Sequence, residues 1–207
     1  MGKYLQYGCG FSGPDEWLNY DASPMIILRK IPILGKIIQI KRNLYVQKNI
    51  KHGNIVKGFS KHNGSCNAVY CSHILEHLTH DEFIIAIENT YLLLKEGGIF
   101  RLVMPDLKKL CDDYLLNESN PEASNEFING TGMGIKKQRK FIDRIKRVFA
   151  NSGHLWLWDY NSTKKILTMC GFREIRICEY HDSELKEFEM VENMERFNGA
   201  LAIEAKK

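Results

Sequence analysis

Two short apolar segments at the start of the chain constrain its fold more than any other feature. Residues 4–7 run directly into Gly8-Cys9-Gly10, and residues 17–20 are followed by Asp21. Glycines at the end of a strand let the backbone approach a ligand, because they carry no Cβ. In an open α/β sheet, ligands bind just outside the carboxyl ends of the strands. A carboxylate at the end of the next strand can accept hydrogen bonds from two ribose hydroxyls, so the chain begins with half of a predicted nucleoside site.

Strand-like and helix-like segments alternate along the rest of the chain. Predicted strands, which are apolar or alternating runs beside turn residues, lie at 4–7, 17–20, 54–57, 68–71, 99–104, 173–179 and 200–205. Predicted helices lie at 81–97, with Asp81 as N-cap, and at 107–116, 136–149 and 161–171. Residues 117–134 are predicted to be a loop, within an insertion or cap at 117–152. The alternation predicts one domain over residues 1–207, with a largely parallel sheet between layers of helices.

Composition excludes several classes of protein. The chain has 207 residues, of which 44% are apolar and 26% charged, as expected for an ordinary globular domain. It has no apolar run long enough to span a membrane, and no signal peptide is expected at its start. Its six cysteines show no C-x-x-C pairing, which favours a reduced, cytoplasmic protein.

Positive charge is concentrated in one part of the chain. Residues 22–75 contain nine Lys or Arg and no Asp or Glu, within a net charge of +4. A solvated face explains this as well as attraction to a nucleic acid or a membrane surface. Within it, residues 26–45 interleave many aliphatic residues with five basic ones. We expect an exposed apolar patch with a basic rim there, for membrane-surface association or a homodimer. The alternative is a helix packed on the sheet with snorkelling lysines.

A histidine-rich motif raises the question of a metal. His73, Glu76 and His77 form H-x-x-E-H, with His80 one turn further on. Two histidines at i and i+4 on one helical face can bind zinc. The motif, however, directly follows a strand, and no third ligand stands out downstream. Packing and capping therefore explain these residues better, and we expect no metal ligand.

Several segments together resemble the class I S-adenosylmethionine-dependent methyltransferases, most closely a short bacterial branch of the type 11 methyltransferase family. That branch has a G-C-G loop followed quickly by W-x-N-x-D, as at 8–10 and 17–21. It continues with Y-x-S-H-x-L-E-H, L-K-x-G-G and P-D-L, as at 70–77, 94–98 and 105–107. It ends with H-x-W-x-x-D and a helix closed by G-F, as at 154–159 and 171–172.

The resemblance implies a Rossmann-like, seven-stranded, mostly parallel sheet with an antiparallel last strand and helices on both faces. It also implies S-adenosylmethionine as cofactor, with its methionine part over the glycine turn and its ribose on Asp21. The implied cofactor-binding residues are Tyr7, Gly8, Cys9, Gly10, Asp21, Gly58, Phe59, Ser72 and His73. The chain departs from the family near the adenine, where residues 57–60 contain no carboxylate, and at Asn67, where the family has Asp.

The expected reaction is O- or N-methylation of a small molecule or of a glycan or lipid-linked sugar. Candidate catalytic residues are His73, His154, Asp106 and Asp159, although a structural role suits each of them singly. The two histidines rank first because a neutral imidazole takes up a proton near pH 7. Alternatives are an RNA-directed methyltransferase using residues 22–75, a zinc hydrolase, and a catalytically silent binding module. The expected location is the cytoplasm, with peripheral contact at the inner membrane surface as a variant.

Overall fold

A computed structural model describes residues 3–28, 46–135 and 153–207, and within them a seven-stranded sheet. The strands are β1 (Lys3–Tyr7), β2 (Trp17–Asp21), β3 (Ile50–His52), β4 (Cys66–Ser72), β5 (Leu94–Pro105), β6 (Arg173–Ile177) and β7 (Ala200–Lys206). Their order is β3-β2-β1-β4-β5-β7-β6. Strands β1 to β5 pair in parallel, whereas β7 is antiparallel to both of its neighbours. The predicted mostly parallel sheet with an antiparallel last strand is confirmed.

Helices and shorter turns connect and cover the strands. The α-helices are α1 (Pro24–Leu28), α2 (His80–Leu93), α3 (Leu107–Leu116), α4 (Ala123–Gly130), α5 (Tyr160–Met169) and α6 (Met194–Phe197). The 3₁₀ helices are Ile55–Lys57, Ser60–His62, Leu75–His77 and Lys186–Met190. No helix among the described residues is both long and apolar enough to cross a bilayer.

Both faces of the central strands are buried. In β4, Val69 and Cys71 belong to the core on the side of α2 and α5, whereas Ala68 and Tyr70 belong to the core on the other side. Successive strand side chains point to opposite faces, so a strand covered on both sides is apolar almost throughout. The second face is covered by the segment after β6, which contributes Phe188. Because β1 pairs in parallel with β2 and β4, the carboxyl ends of these three strands lie at one edge of the sheet.

The predicted strand at 54–57 is wrong. The third strand is Ile50–His52, and residues 55–57 instead form a 3₁₀ helix whose N-cap, Asn54, accepts a hydrogen bond from the Val56 amide at 2.8 Å. Ile55 packs into the core from this turn, which explains the apolar pair that suggested a strand. The true strand lies at the sheet edge and buries only Ile50, so it has no apolar pattern.

Several predicted helix limits also change. The N-cap of α2 is Thr79, not Asp81, because Thr79 and Glu82 form a reciprocal capping box. The same helix ends at Leu93, and β5 begins at Leu94, before the glycine pair that was expected to stop the helix. The predicted loop at 117–134 contains α4. The predicted helices at 107–116 and 161–171 are confirmed as α3 and α5, with the second shifted by one or two residues.

Two predictions fall wholly or mostly outside the described residues. They are the helix at 136–149 and the apolar, basic segment at 26–45, of which only residues 26–28, in α1, are described.

Candidate functional site

A glycine turn follows β1 and is hydrogen-bonded to the carboxyl end of the neighbouring strand β2. Gly8 and Gly10 have φ values of +71° and +68°, in the left-handed region that favours glycine. A Cβ on Gly8 would lie 2.0 Å from Cγ1 of Ile74, so this position also needs glycine for its close packing. The Asp21 carboxylate accepts hydrogen bonds from the Gly10 amide at 2.8 Å and the Ser23 amide at 2.7 Å. Its side chain is nearly buried, yet a carboxylate with two such bonds keeps lone pairs for hydroxyl donors.

A cavity of about 250 Å³ lies against this turn. Its walls come from three separate parts of the chain: the β1 end and the turn that follows, the β4 end, and the segment between β6 and β7. The lining residues include Tyr7, Gly8, Cys9, Tyr70, Ser72, Asn193 and Arg196. The structure thus brings together four of the residues predicted to bind a cofactor, Tyr7, Gly8, Cys9 and Ser72. Tyr7 contributes its backbone there, because its hydroxyl pairs with Thr90 Oγ1 at 3.1 Å, in the core.

The cavity wall offers unpaired hydrogen-bonding groups. Among the described residues, the buried hydroxyls of Tyr70 and Ser72 have no hydrogen-bond partner of normal geometry. Burial raises the pKa of Tyr70, so its hydroxyl stays neutral. The Arg196 guanidinium lines the same cavity and donates to the Ser72 carbonyl at 3.1 Å. Burial, then the charge of Asp21, raises the pKa of Cys9 to about 12, so its thiol is no nucleophile near neutral pH. This part of the cavity suits a polar, anionic ligand group.

Gly58 and Phe59 were assigned to the adenine from a strand that the structure lacks. Phe59 packs in the core with its ring centroid 4.5 Å from that of Tyr20. A Cβ on Gly58 would lie 3.2 Å from Oδ1 of Asn89, on α2. Neither residue lines the cavity, and Gly53 and Asn54 are the residues that follow the third strand.

A buried carboxylate surrounded by imidazoles lies beside the cavity. Glu76 is 1% exposed, and its Oε1 lies 3.4 Å from Nδ1 of His73 and 3.8 Å from Nε2 of His154. His73 directly follows the cavity residue Ser72 and has a φ of +53°, unusual for a residue with a Cβ. Contact with the Glu76 carboxylate raises the pKa of His73, burial opposes this, and the Arg196 carbonyl at 2.9 Å from Nε2 adds to it. The two leading candidates for a catalytic base, His73 and His154, therefore meet at one carboxylate.

Backbone hydrogen bonds bring the later segment to this carboxylate. The amides of Leu155 and Trp156 donate to the Glu76 carbonyl at 2.8 Å and 3.2 Å. His77, in the 3₁₀ helix, places its ring 4.9 Å from that of His154. The H-x-x-E-H motif therefore forms a turn and a 3₁₀ helix, not the regular helix face of a zinc protease.

Asp106 and Asp159 have other contacts. Asp106 is the N-cap of α3 and accepts from the Lys108 amide at 2.9 Å. Asp159 is the N-cap of α5 and accepts from the Ser162 amide at 2.8 Å and the Ser162 hydroxyl at 2.6 Å. The hydroxyl, then the amide, lowers the pKa of Asp159, which makes it a weaker base. The structure thus gives both carboxylates helix-capping roles.

Sequence reasoning missed Tyr70 and Arg196 as cavity residues, and it missed the burial of Glu76. Arg196 lies in a Glu-rich stretch more than a hundred residues from Ser72. No local pattern links it to the glycine turn, although a lone arginine among glutamates is a weak signal of a specific contact.

Among the comparisons with known proteins, only the solved structures match, and they show the fold of this chain. No family model matches the sequence, and no curated protein does. Among solved structures, the chain is similar to a SAM-dependent methyltransferase from Archaeoglobus fulgidus, with 16% identity and a TM-score of 0.51 over all of this chain and 86% of that one. It is also similar to a SAM-dependent methyltransferase from Thermotoga maritima described as a possible histamine N-methyltransferase, with 13% identity and a TM-score of 0.51 over all of this chain and 83% of that one. The strand order, the glycine turn and these likenesses together show that the chain has the fold of the class I S-adenosylmethionine-dependent methyltransferases.

Proposed function

We propose that this chain is an S-adenosylmethionine-dependent methyltransferase that methylates a hydroxyl of a small molecule, with a sugar or lipid-linked sugar as the favoured class. One observation carries the proposal: Arg196, which lines a polar cavity beside the glycine turn, accepts a hydrogen bond from His73, and His73 lies against a buried carboxylate that a second imidazole also approaches. The first part suits the cofactor, and the second suits removal of a proton from the acceptor. The sugar class comes from the sequence resemblance.

The cavity residues fit the amino-acid end of the cofactor. Arg196 supplies a cation for its carboxylate, because guanidinium and carboxylate form charge-assisted hydrogen bonds. The unpaired hydroxyls of Tyr70 and Ser72 supply further polar partners. Asp21, at the end of the neighbouring β2, supplies the carboxylate for the ribose hydroxyls. At about 250 Å³ the cavity is smaller than the roughly 300–1,000 Å³ of typical ligand pockets, so we assign it only part of the cofactor.

The chain's own residues would position the acceptor and take its proton. The cofactor supplies a methyl group on a sulfonium, and the new oxygen–carbon bond forms as the carbon–sulfur bond breaks, with the electron pair kept by sulfur. Holding the two reactants in line supplies most of the rate. His73 would accept the hydroxyl proton on Nδ1, because the Arg196 carbonyl 2.9 Å from Nε2 keeps the ring hydrogen on Nε2, and the protonated ring would be stabilised by Glu76. General base catalysis contributes about 10²–10⁴-fold.

Cofactor binding is tested first. Calorimetry with S-adenosylmethionine and S-adenosylhomocysteine should show one site per chain. At about 100 times the dissociation constant, either ligand should stabilise the protein by roughly 2.7 kcal/mol in thermal unfolding. Adenosine monophosphate, which lacks the amino-acid end, serves as the control. No binding of either sulfur ligand would exclude the proposed function.

The role of His73 is tested by turnover. His73→Gln should lower kcat about 10²–10⁴-fold while S-adenosylhomocysteine binds as before. His80→Gln, the same change at a half-exposed histidine in the next helix, should keep wild-type turnover. Transfer of a labelled methyl group to sugars, nucleotide sugars and RNA identifies the acceptor. Full turnover by the His73 variant would remove it from the mechanism, and transfer to RNA alone would favour the RNA-directed alternative.

A further inference from the structure

Glu76 is a buried carboxylate whose closest basic group is His73, with Nδ1 3.4 Å from Oε1. Both of its oxygens are buried, and neither accepts a hydrogen bond of normal geometry from the described residues. A buried charge is costly unless a cation or good hydrogen bonds compensate it. The backbone that carries it is nevertheless held in place, since the Glu76 carbonyl accepts two amides from the segment after residue 153. His73 offers this carboxylate a positive charge only when it is protonated, so a cation between Glu76 and the other two histidines would compensate the buried charge.

Two histidines near this carboxylate each have one ring nitrogen left as an acceptor. Nδ1 of His154 lies 2.7 Å from the Thr131 carbonyl, and Nδ1 of His77 lies 3.1 Å from the Gly153 carbonyl. A carbonyl only accepts, so each Nδ1 carries the hydrogen. In a neutral imidazole, Nε2 is then an acceptor. Histidines that bind metals are held in the same way, with the other ring nitrogen donating to a carbonyl or carboxylate.

The three side chains come together closely enough to share one ion. One ligand atom each from Glu76, His77 and His154 lies within 4.8 Å of the other two. Zinc–nitrogen and zinc–oxygen bonds of about 2.0–2.2 Å place ligand atoms about 3.4 Å apart in a tetrahedron. Metal binding would require the three side chains to rotate until their ligand atoms close that difference. The third ligand, His154, comes from a segment far from the H-x-x-E-H motif, which is why the motif alone did not indicate a metal.

We propose that the Glu76–His77–His154 cluster binds a divalent transition-metal cation of the zinc class. Two imidazoles and one carboxylate favour such an ion over magnesium or calcium, which prefer oxygen ligands. Three protein ligands also leave a coordination position for a further oxygen, as in catalytic zinc sites. The position beside His73 would let this oxygen be the acceptor hydroxyl, an assignment that rests on the proposed function. The metal site itself does not.

Direct titration tests the site. Tag-free, full-length protein treated with a chelator is titrated with Zn²⁺ and with Co²⁺, without cofactor or acceptor. We expect one ion per chain, and a Co²⁺ visible spectrum without the charge-transfer band that cysteine ligands give. Mg²⁺, the control ion, should not compete. Absence of saturable Zn²⁺ and Co²⁺ binding, a thiolate band, or preference for Mg²⁺ would each overturn the proposal.

Matched variants locate the ion. Glu76→Gln, His77→Gln and His154→Gln should each weaken Zn²⁺ binding by at least about 10–100-fold, the loss seen when only an outer partner of a ligand is removed. His80→Gln is the control, because His80 is half exposed and contacts the rings of Trp156 and Trp158. His154 is itself partly exposed, so its variant decides the question if a Glu76 variant does not fold. Wild-type affinity in the folded His154 variant, or an equal loss in the control, would contradict the assignment.

One experiment can disprove the metal site and the proposed function independently of each other. S-adenosylhomocysteine binding is measured on the same samples with and without Zn²⁺. Binding of Zn²⁺ without the nucleoside would remove only the proposed function, whereas nucleoside binding without Zn²⁺ would remove only the metal site.

Discussion

Two charged residues lie at the two parts of the candidate site, the glycine turn and the cavity. Asp21 holds the glycine turn through the Gly10 amide, and Arg196 lines the cavity from the segment before β7. They would contact different parts of the cofactor, the ribose and the amino-acid end. Ligands that share only one of these parts therefore separate the two roles.

Arg196→Gln should weaken S-adenosylhomocysteine binding by about tenfold to a hundredfold, the value of one charged hydrogen bond of roughly 1.5–3 kcal/mol. Methylthioadenosine, which lacks the amino-acid end, should bind the variant as it binds the wild type. Calorimetry measures both. Arg173→Gln, at an exposed arginine, is the control. Equal losses for the two ligands would show that Arg196 only supports the fold of the cavity.

Asp21→Asn should weaken both ligands by a similar factor, about tenfold to a hundredfold, because both carry the ribose. The amide keeps only one of the two acceptors that the turn uses, so urea unfolding should also show a loss, of about 1–3 kcal/mol. Asp81→Asn, at a side chain that is 93% exposed, serves as control. A folded Asp21 variant with unchanged affinity would show that Asp21 stabilises the glycine turn but does not bind the ribose.

At the scale of elements, one buried arginine holds the segment between β6 and β7. Arg101, on β5, is fully buried and pairs with Glu192, with Asp182 at 2.9 Å and with Glu204 at 3.0 Å. Removal of one partner from a buried ion pair is strongly destabilising, by about 3–5 kcal/mol. The network thus anchors the segment that carries Asn193 and Arg196 to the cavity.

The stability of this segment should depend on pH through Asp182. Burial alone would raise the pKa of Asp182, but hydrogen bonds from Arg176, the Glu179 amide and Arg101 lower it to about 2. The pKa in the unfolded chain is about 3.9, so the ionised side chain stabilises the fold fully above that value, and this contribution is lost as the pH falls towards 2.

We therefore expect Asp182→Asn to lower the free energy of unfolding at neutral pH. The difference from the wild type should shrink as the pH falls from about 5 to about 3. Urea unfolding over a series of pH values measures it, with Asp81→Asn as the exposed control. A difference that does not change with pH would show that Asp182 contributes no ionised interaction.

The elements differ in how far their sequences specify them. Strands β4 and β5 were predicted because both of their faces are buried and their sequences are apolar almost throughout. Strand β3 was missed because an edge strand with one buried residue has no such pattern. The N-cap of α2 was misplaced because Asp81 and Thr79 are both good caps, although the Thr79–Glu82 spacing carried the capping-box signal.

The residues of the candidate site also differ in how far the sequence specifies their positions. The glycine turn, Asp21 and Ser72 follow strand ends within short motifs, so the sequence predicted their common edge. The contacts of Arg196 with Ser72 and of His154 with Glu76 join segments far apart in the chain. Such contacts depend on tertiary packing, which no local pattern specifies.

At the scale of the whole molecule, β7 lies inside the sheet between β5 and β6. Ile203 in β7 is fully buried, whereas its partner across the ladder, Ile177 in the edge strand β6, is 59% exposed. Ile203→Ala should lower the free energy of unfolding by about 2–5 kcal/mol, and Ile177→Ala by no more than about 0.5 kcal/mol. Urea unfolding compares the two. Equal losses would contradict the interior position of β7.

The place of β7 has a consequence for the order in which the protein can mature. A ribosome makes this strand after the other six, yet it must enter between two of them. Until it does, β5 and β6 expose unpaired edges, which are prone to join other chains. Arg101 also lacks Glu204, one of the carboxylates that anchor the cavity segment. Until synthesis has passed β7, the sheet therefore lacks the strand that joins β5 to β6, and the buried arginine lacks one of its three carboxylate partners.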